Sequence, residues 1–392
     1  MEPARLALQA AVAHVVARPW KPVLLEQPVP VAQVPTPALL LDVAAFERNL
    51  ARMADFLGQR GKGFRPHAKT HKCPLIAARQ LEIGAVGVCA AKLSEAVVLV
   101  HAGVGRVLLT SPLVGAAKAG LLVELARTAE QLDVVVDGPA GLAALSEAAS
   151  ADASVGVVVD VDVAMGRTGT RSLDQVLQLA DAAANAPGLR FRGVQHYAGH
   201  LMHVKGHARR REKSLRLWEA VSAMVTALAD RGLAPEIVTG GGTGSYDIDC
   251  EVAAITDLQV GSYIFMDQEY RLIGGRDGDW FDDFEVSLQV ATTAISKPLE
   301  GAITVDGGYK AFASDSVNPQ PMDLPGAEYH FAGDEHGVLR LREGNQEPLL
   351  GSVQRFITPH CDPTVNLYDF YWVCRDGMVT ELWPVAARGC SW

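Results

Sequence analysis

The 392-residue chain has six cysteines (Cys73, Cys89, Cys250, Cys361, Cys374 and Cys390) and no CxxC spacing among them. That excludes a zinc ribbon and argues against a disulfide framework; the pattern reads as reduced thiols of a cytoplasmic protein. No apolar run reaches the roughly 18 to 20 residues needed to cross a bilayer. An excess of positive charge is also missing. The formal net charge is -10, which argues against nucleic acid and against a membrane as partners but leaves room for a local basic pocket. There is no repeat of fixed period and no low-complexity tract. What is present is hydrophobic mass, 49% of the residues, enough to bury the core of one large domain and a smaller one.

The first 35 residues read as an extension. "ARLALQAAVAHVVA" has the pattern of an amphipathic helix, and "KPVLLEQPVPVAQVPTP", rich in proline and valine, that of an extended tether. From Thr36 the chain changes. "TPALLLDV" reads as a strand, and "AAFERNLARMADFLGQRG" as a helix with Phe46, Leu50, Met53 and Leu57 at helical spacing. Eight short apolar runs then alternate with longer helical patterns: 64–70, 86–91, 106–111, 133–138, 155–163, 190–199, 236–242 and 257–265. This is the order of βα units around a parallel sheet, and eight of them match a closed (β/α)8 TIM-type barrel over residues 36–275, with a doubly wound open sheet as the main competitor. Beyond that point, runs such as "GAITVDGG" and "FYWVCRDGMVTELWPV" alternate between glycines and prolines. Residues 276–392 therefore read as a mostly antiparallel β domain.

In a parallel barrel the chemistry lies at the C-terminal ends of the strands. "FRPHAKTHKCP" ends the first run and, read as a strand, puts His67, Lys69 and His71 on one face. Arg167 in "AMGRTG" follows the fifth run and Tyr197 in "QHYAGHLMH" ends the sixth. "TGGGTGS", carrying Thr239, Gly241, Gly242 and Thr243, ends the seventh, and Gly261, Ser262 and Tyr263 lie in the eighth. Consecutive glycines let backbone N–H groups converge on an anion, and the loops after strands seven and eight are the usual phosphate site of this fold. A lysine, an arginine and a phosphate cradle at one mouth suit a phosphorylated aldehyde, pyridoxal 5'-phosphate, with the aldehyde on Lys69.

With "TPALLLD", "RPHAKTHK", "GVCAAKLSEA", "GRTG", "TGGGTGS", "GSYIFMD", "DEHGV", "HCDPTVNLYD" and "VAARG" in this order, the sequence resembles the D-threonine aldolase and D-serine dehydratase group, with closest similarity to the aldolases. The resemblance runs from about Thr36 to near the C-terminus. It implies the alanine racemase-like fold, a homodimer, and Lys69 as the lysine that condenses with the cofactor aldehyde, with Lys72 and Lys92 as alternatives. It further implies that Arg167 and Tyr197 contact the cofactor ring, and that Thr239 to Ser245 with Gly261, Ser262 and Tyr263 form its phosphate and ring pocket. Asp306 and Asp334 to His336 also match family motifs and are expected near the site.

The same resemblance gives "PHCDP" a role. His360 and Asp362, at i and i+2 and so on one face if extended, would hold a divalent ion (Mn2+, Mg2+ or Co2+), with Cys361 pointing away. Dehydratases of the group have cysteine at the second ligand position, where this chain has Asp362. The implied reaction is retro-aldol cleavage of a D-β-hydroxy-α-amino acid, such as D-threonine, to glycine and an aldehyde. His203 is the candidate base and His200 its competitor, with His67 and His71 as supporting polar residues. Alternatives are a 3-hydroxy-D-aspartate aldolase and a dehydratase acting on D-serine or D-threo-3-hydroxyaspartate. A racemase would not need the metal pair, and a non-enzymatic cofactor carrier would not need the β domain.

Overall fold

The computed structural model describes residues 2–149 and 153–392. Helix α1 (Glu2–Val16) is followed by strands β1 (Val23–Pro30) and β2 (Ala38–Asp42) and by helix α2 (Val43–Gly58). Asp42 caps α2 by accepting the N–H groups of Ala44 and Ala45 at 3.1 Å, and Phe46, Leu50, Met53 and Leu57 are buried along one face as their spacing predicts.

The barrel strands are β3 (Gly63–Phe64), β4 (Val88–Ala90), β5 (Arg106–Leu109), β6 (Gln131–Val136), β7 (Val155–Asp160), β8 (Leu189–His196), β9 (Ile237–Gly240) and β10 (Asp257–Leu258). Each pairs in parallel with the next from β4 to β10, and β10 pairs with β3. The last seam is closed by Val86 N–H on Phe64 O (3.0 Å), Cys89 N–H on Pro66 O (2.8 Å) and a bridge between His67 and Cys89. Between the strands run α3 (Pro74–Glu82), α4 (Leu93–His101), α5 (Ala116–Ala126), α6 (Pro139–Ala148), α7 (Leu173–Asn185), α8 (His207–Asp230) and the single turn α9 (Tyr246–Asp249); α10 (Gln268–Arg271) follows β10.

Inside the barrel, Cys89, Leu108, Val135, Val158 and Ile237 form an apolar layer of their own. One step toward the strand C-termini the lining becomes polar: Gln195 Nε2 donates to Asp160 Oδ1 (2.9 Å) and Gln259 Nε2 to Gln195 Oε1 (2.9 Å). One step the other way, Arg65 pairs with Asp257 at 3.2 Å, both nearly fully buried.

The second sheet is built from β11 (Leu288–Leu299), β12 (Ala302–Val305), β13 (Gln320–Pro321), β14 (Glu328–Phe331), β15 (Gly337–Arg340), β16 (Val353–Ile357), β17 (Phe370–Arg375) and β18 (Met378–Pro384). It also takes in β1, antiparallel to β18, and β2, antiparallel to β11 and parallel to β17. The proline- and valine-rich segment expected to be a tether is thus an edge strand, where prolines without N–H groups are tolerated. The "ALLLD" strand is real, but it lies in this sheet and not in the barrel. Helix α11 (Cys361–Val365) sits in the β16–β17 connection and faces the barrel mouth.

Candidate active site

The first barrel run is shorter than its pattern suggests. Pro66 has no N–H for a ladder, and after it the chain turns: His67 Nδ1 accepts the Lys69 N–H (3.4 Å), and Ala68–Thr70 is a 3-10 turn. His67, Lys69 and His71 therefore do not share a strand face. The His67 ring reaches Thr110 Oγ1 (3.1 Å), and His71 Nδ1 accepts the Cys73 N–H (3.1 Å). Burial holds the His71 imidazole neutral, with its pKa lowered to about 3. Burial, with the Lys69 charge, takes His67 well below its ordinary value.

Lys69 is left pointing into the mouth, its side chain 39% exposed and its Nζ on the carboxylate of Asp362. Burial works against the Lys69 ammonium, but Asp362 and Tyr197 outweigh it and raise the pKa above that of a free lysine. Burial would likewise raise Asp362; Lys69 and His360 outweigh it and hold that carboxyl far below the usual range. The contact joins the two halves of the molecule, since Lys69 leads into α3 of the barrel and Asp362 lies in the first turn of α11.

"PHCDP" is not extended: Cys361–Val365 is helical. His360 caps α11, its carbonyl accepting the Thr364 hydroxyl (2.7 Å), and Pro363 falls in the first helical turn, where its fixed φ suits a helix. Cys361 is buried, with its N–H donating to Asp267 Oδ2 (2.9 Å). His360 Nδ1 meets Asp315 Oδ2 at 2.8 Å and Glu269 Oε2 at 3.7 Å. Those three residues form the set among the described residues whose ligand atoms lie close enough for one cation. Burial disfavours the His360 imidazolium, but Asp362 and Asp267 outweigh it and raise its pKa. The histidine thus stands between two carboxylate groups, Asp362 on the Lys69 side and Asp315 with Glu269 on the other.

Arg167 is presented by a loop that Asp162 shapes: its carboxylate accepts N–H groups from Ala164 (3.0 Å), Met165 (2.6 Å) and Gly166 (2.7 Å) and pairs with Arg171. The Arg167 guanidinium lies 5.3 Å from the centre of the Tyr197 ring. A side chain at Gly199 would come within 2.6 Å of that ring, so glycine is needed for the ring to fold back over the loop. His203 is exposed and rests against Tyr270, ring centres 5.6 Å apart; His200 is exposed on the same loop.

The glycine run behaves unevenly. Thr239 points into the barrel, its hydroxyl donating to Asp257 (2.7 Å), and does not reach the mouth. Gly241 has a left-handed φ of +65° and lies against Asp249; Gly242 lies against Met202. Thr243 Oγ1 accepts the Tyr263 N–H (3.0 Å), which ties this loop to the next strand end. The Tyr263 ring itself is in the core beside Phe284, and Gly261 lies against Thr70 Oγ1. Ser262 opens the 3-10 turn beside Cys361.

Of the alternatives to Lys69, Lys72 is buried and paired with Glu95 at 2.5 Å, while its carbonyl accepts the Ala387 N–H (3.0 Å). It fastens the C-terminal "VAARG" to the barrel and is almost wholly buried. Lys92 caps α4. Asp306 accepts from Thr36 Oγ1 (2.5 Å) and the Thr293 N–H (2.6 Å), and Asp334 to His336 are exposed in the β14–β15 turn.

The alanine racemase N-terminal domain model matches residues 41–269, and a putative serine dehydratase domain matches 287–374. The chain is 41% identical to a D-threonine aldolase of Arthrobacter sp. over 363 residues, 92% of this chain and 95% of that protein. The chain belongs to the D-threonine aldolase family. A 3-hydroxy-D-aspartate aldolase of Paracoccus denitrificans is 36% identical over 362 residues, 91% of this chain and 93% of that one. The crystal structure of D-threonine aldolase from Filomicrobium marinum superposes with a TM-score of 0.90 at 41% identity, covering 94% of this chain and all of that one. By name, these relatives of the family member described here are carbon–carbon lyases.

The donor set at the mouth fits the cofactor this fold implies: an accessible amine for an aldehyde, an arginine and a tyrosine beside it, and a glycine-rich turn opening onto α9. For a divalent cation, His360 lies within reach of Asp315 and Glu269, while Asp362, paired with Lys69, falls outside that set.

Proposed function

We propose that the chain is a pyridoxal 5'-phosphate- and divalent-metal-dependent aldehyde-lyase that cleaves D-β-hydroxy-α-amino acids, D-threonine among them, into glycine and an aldehyde. The observation that supports this most is the direct approach of Lys69 to Asp362, which brings the amine of the barrel and the acidic turn of the second sheet to one point. The aldolase names of the relatives point the same way.

Pyridoxal phosphate would supply, when bound, an electron sink for the pair released by breaking Cα–Cβ. Lys69 would supply the amine for its aldehyde, and the glycine turn at 241–245 with the backbone of 261–263 would hold its phosphate. Arg167 and Tyr197, already against each other, would border its ring. His360 and Asp362 would hold a cation that lowers the pKa of the substrate β-hydroxyl. His203, exposed on its loop at the rim, takes that proton. We read the assembly as a cytoplasmic homodimer.

The test is incubation of the protein, reconstituted with pyridoxal phosphate and Mn2+, with D-threonine, D-serine and D-3-hydroxyaspartate, with and without EDTA. Glycine and acetaldehyde in equal amounts from D-threonine, suppressed by EDTA, is the expected result. Ammonia with a keto acid would place the chain with the dehydratases instead.

A further inference from the structure

Helix α8 (His207–Asp230) has an unusual buried face. Its buried positions are Arg210, Ser214, Trp218, Val221 and Leu228. The second half is the apolar stripe a surface helix normally buries. The first half is an arginine, a serine and a tryptophan at i, i+4 and i+8, all turned toward the glycine run. Arg210 is fully buried, yet no carboxylate among the described residues accepts a hydrogen bond from it. Its fork is spent on four main-chain carbonyls: Nε on Gly244 O (2.5 Å), Nη1 on Val204 O (2.8 Å) and Ile273 O (3.2 Å), and Nη2 on Gly274 O (2.9 Å). Burial lowers its pKa, and Asp247 and Asp283 act against that from a distance beyond hydrogen bonding.

The three segments it touches are not neighbours in sequence. One follows directly on His203, one is the glycine turn itself, and one follows α10, whose Tyr270 supports the His203 ring. Only a guanidinium offers five N–H donors in a fixed plane, so a lysine could not join all four carbonyls. Ser214 extends the same contact: its hydroxyl donates to Asp249 Oδ1 (2.5 Å), and Ser245 donates to Asp249 Oδ2 (2.5 Å). That carboxylate fills the space where a side chain on Gly241 would be, and an added methyl on Gly240 would meet Trp218.

We infer that Arg210 is a positioning residue that locks the phosphate-side glycine turn and the His203 loop to one helix, so that the anion cradle and the proton acceptor keep a fixed separation. The link to phosphate and proton acceptor rests on the function proposed above; the clamp itself does not.

The test uses the full chain and reads two quantities. In Arg210→Met, amide hydrogen exchange at 201–205 and 242–246 rises at least tenfold, and the dissociation constant for pyridoxal phosphate, read by its absorbance, rises at least tenfold. Leu228→Ala, on the same helix face but away from the turn, lowers the melting temperature while leaving both readouts within twofold. Arg210→Lys, the gentler change should Arg210→Met not fold, falls between wild type and Arg210→Met. Exchange in Arg210→Lys or Arg210→Met that matches wild type overturns the clamp. Faster exchange with cofactor affinity unchanged overturns its role in positioning the cradle. A wild-type chain that binds no pyridoxal phosphate defeats the proposed function, while the exchange comparison still decides the clamp.

Discussion

At the scale of single residues, charge in the mouth is set by which groups are forced to stay ionised and which are forced to stay neutral. Lys69 and Asp362 hold each other charged; His67 and His71, one turn away, are kept neutral by burial. His71 makes a prediction about acid stability. Its pKa is near 3 when folded against 6.5 when exposed. Between those values the unfolded chain binds more protons than the folded one. This group therefore removes stability as pH falls from 6.5 toward 3, by up to about 1.4 kcal/mol per pH unit. In His71→Asn, whose side-chain oxygen can still accept the Cys73 N–H, urea midpoints measured from pH 6.5 to 4 should fall less steeply than in wild type. Equal slopes would mean that His71 is not a buried neutral imidazole.

At the scale of elements, the alternation of apolar runs and helical patterns is enough to count eight barrel strands and to tell them from the antiparallel runs that follow. Two short segments at the site were harder to read. "FRPHAKT" looks like a strand until Pro66 is weighed as a missing donor, and "PHCDP" looks extended until Pro363 is seen as a helix-opening residue. Lys69 and Asp362 still meet, because the turn after Pro66 and the turn at α11 aim them at each other. Thr239 misled for a different reason: strand alternation at the end of β9 points it inward to Asp257, a matter of register that composition does not show. Arg210 is not legible in the sequence, because a carbonyl-binding arginine carries no motif; a charged residue on the apolar stripe of α8 is its only trace. The strand β1 was hidden by its prolines. As an edge strand it contributes no residue to the mouth, so deletion of residues 1–30 should lower the melting temperature by several degrees through loss of the β1–β18 pairing and of the α1 contacts. Cofactor binding should stay within about twofold of wild type. Loss of cofactor binding on this truncation would show that the N-terminal segment helps to form the site.

At the scale of the whole molecule, the barrel and the second sheet are held together by more than apolar contact. Lys72 and Glu95 form a pair that is almost wholly buried, and the Lys72 main chain holds the C-terminal segment through Ala387. Removing one partner of such a pair leaves an uncompensated charge, at a cost of about 3–5 kcal/mol. Glu95→Ala is expected to lose that much in denaturant unfolding, whereas a loss under about 1 kcal/mol would mean that Lys72 finds water or another acceptor.

The central claim is that Lys69, and not a neighbouring lysine, carries the aldehyde of pyridoxal phosphate at the mouth shared by barrel and sheet. Borohydride reduction of the cofactor-loaded protein, followed by peptide mass mapping, tests it most directly. The account predicts one pyridoxyl-phosphate adduct per chain, on Lys69, and none in Lys69→Ala. An adduct on Lys72 or Lys92, or no adduct at all, would contradict it.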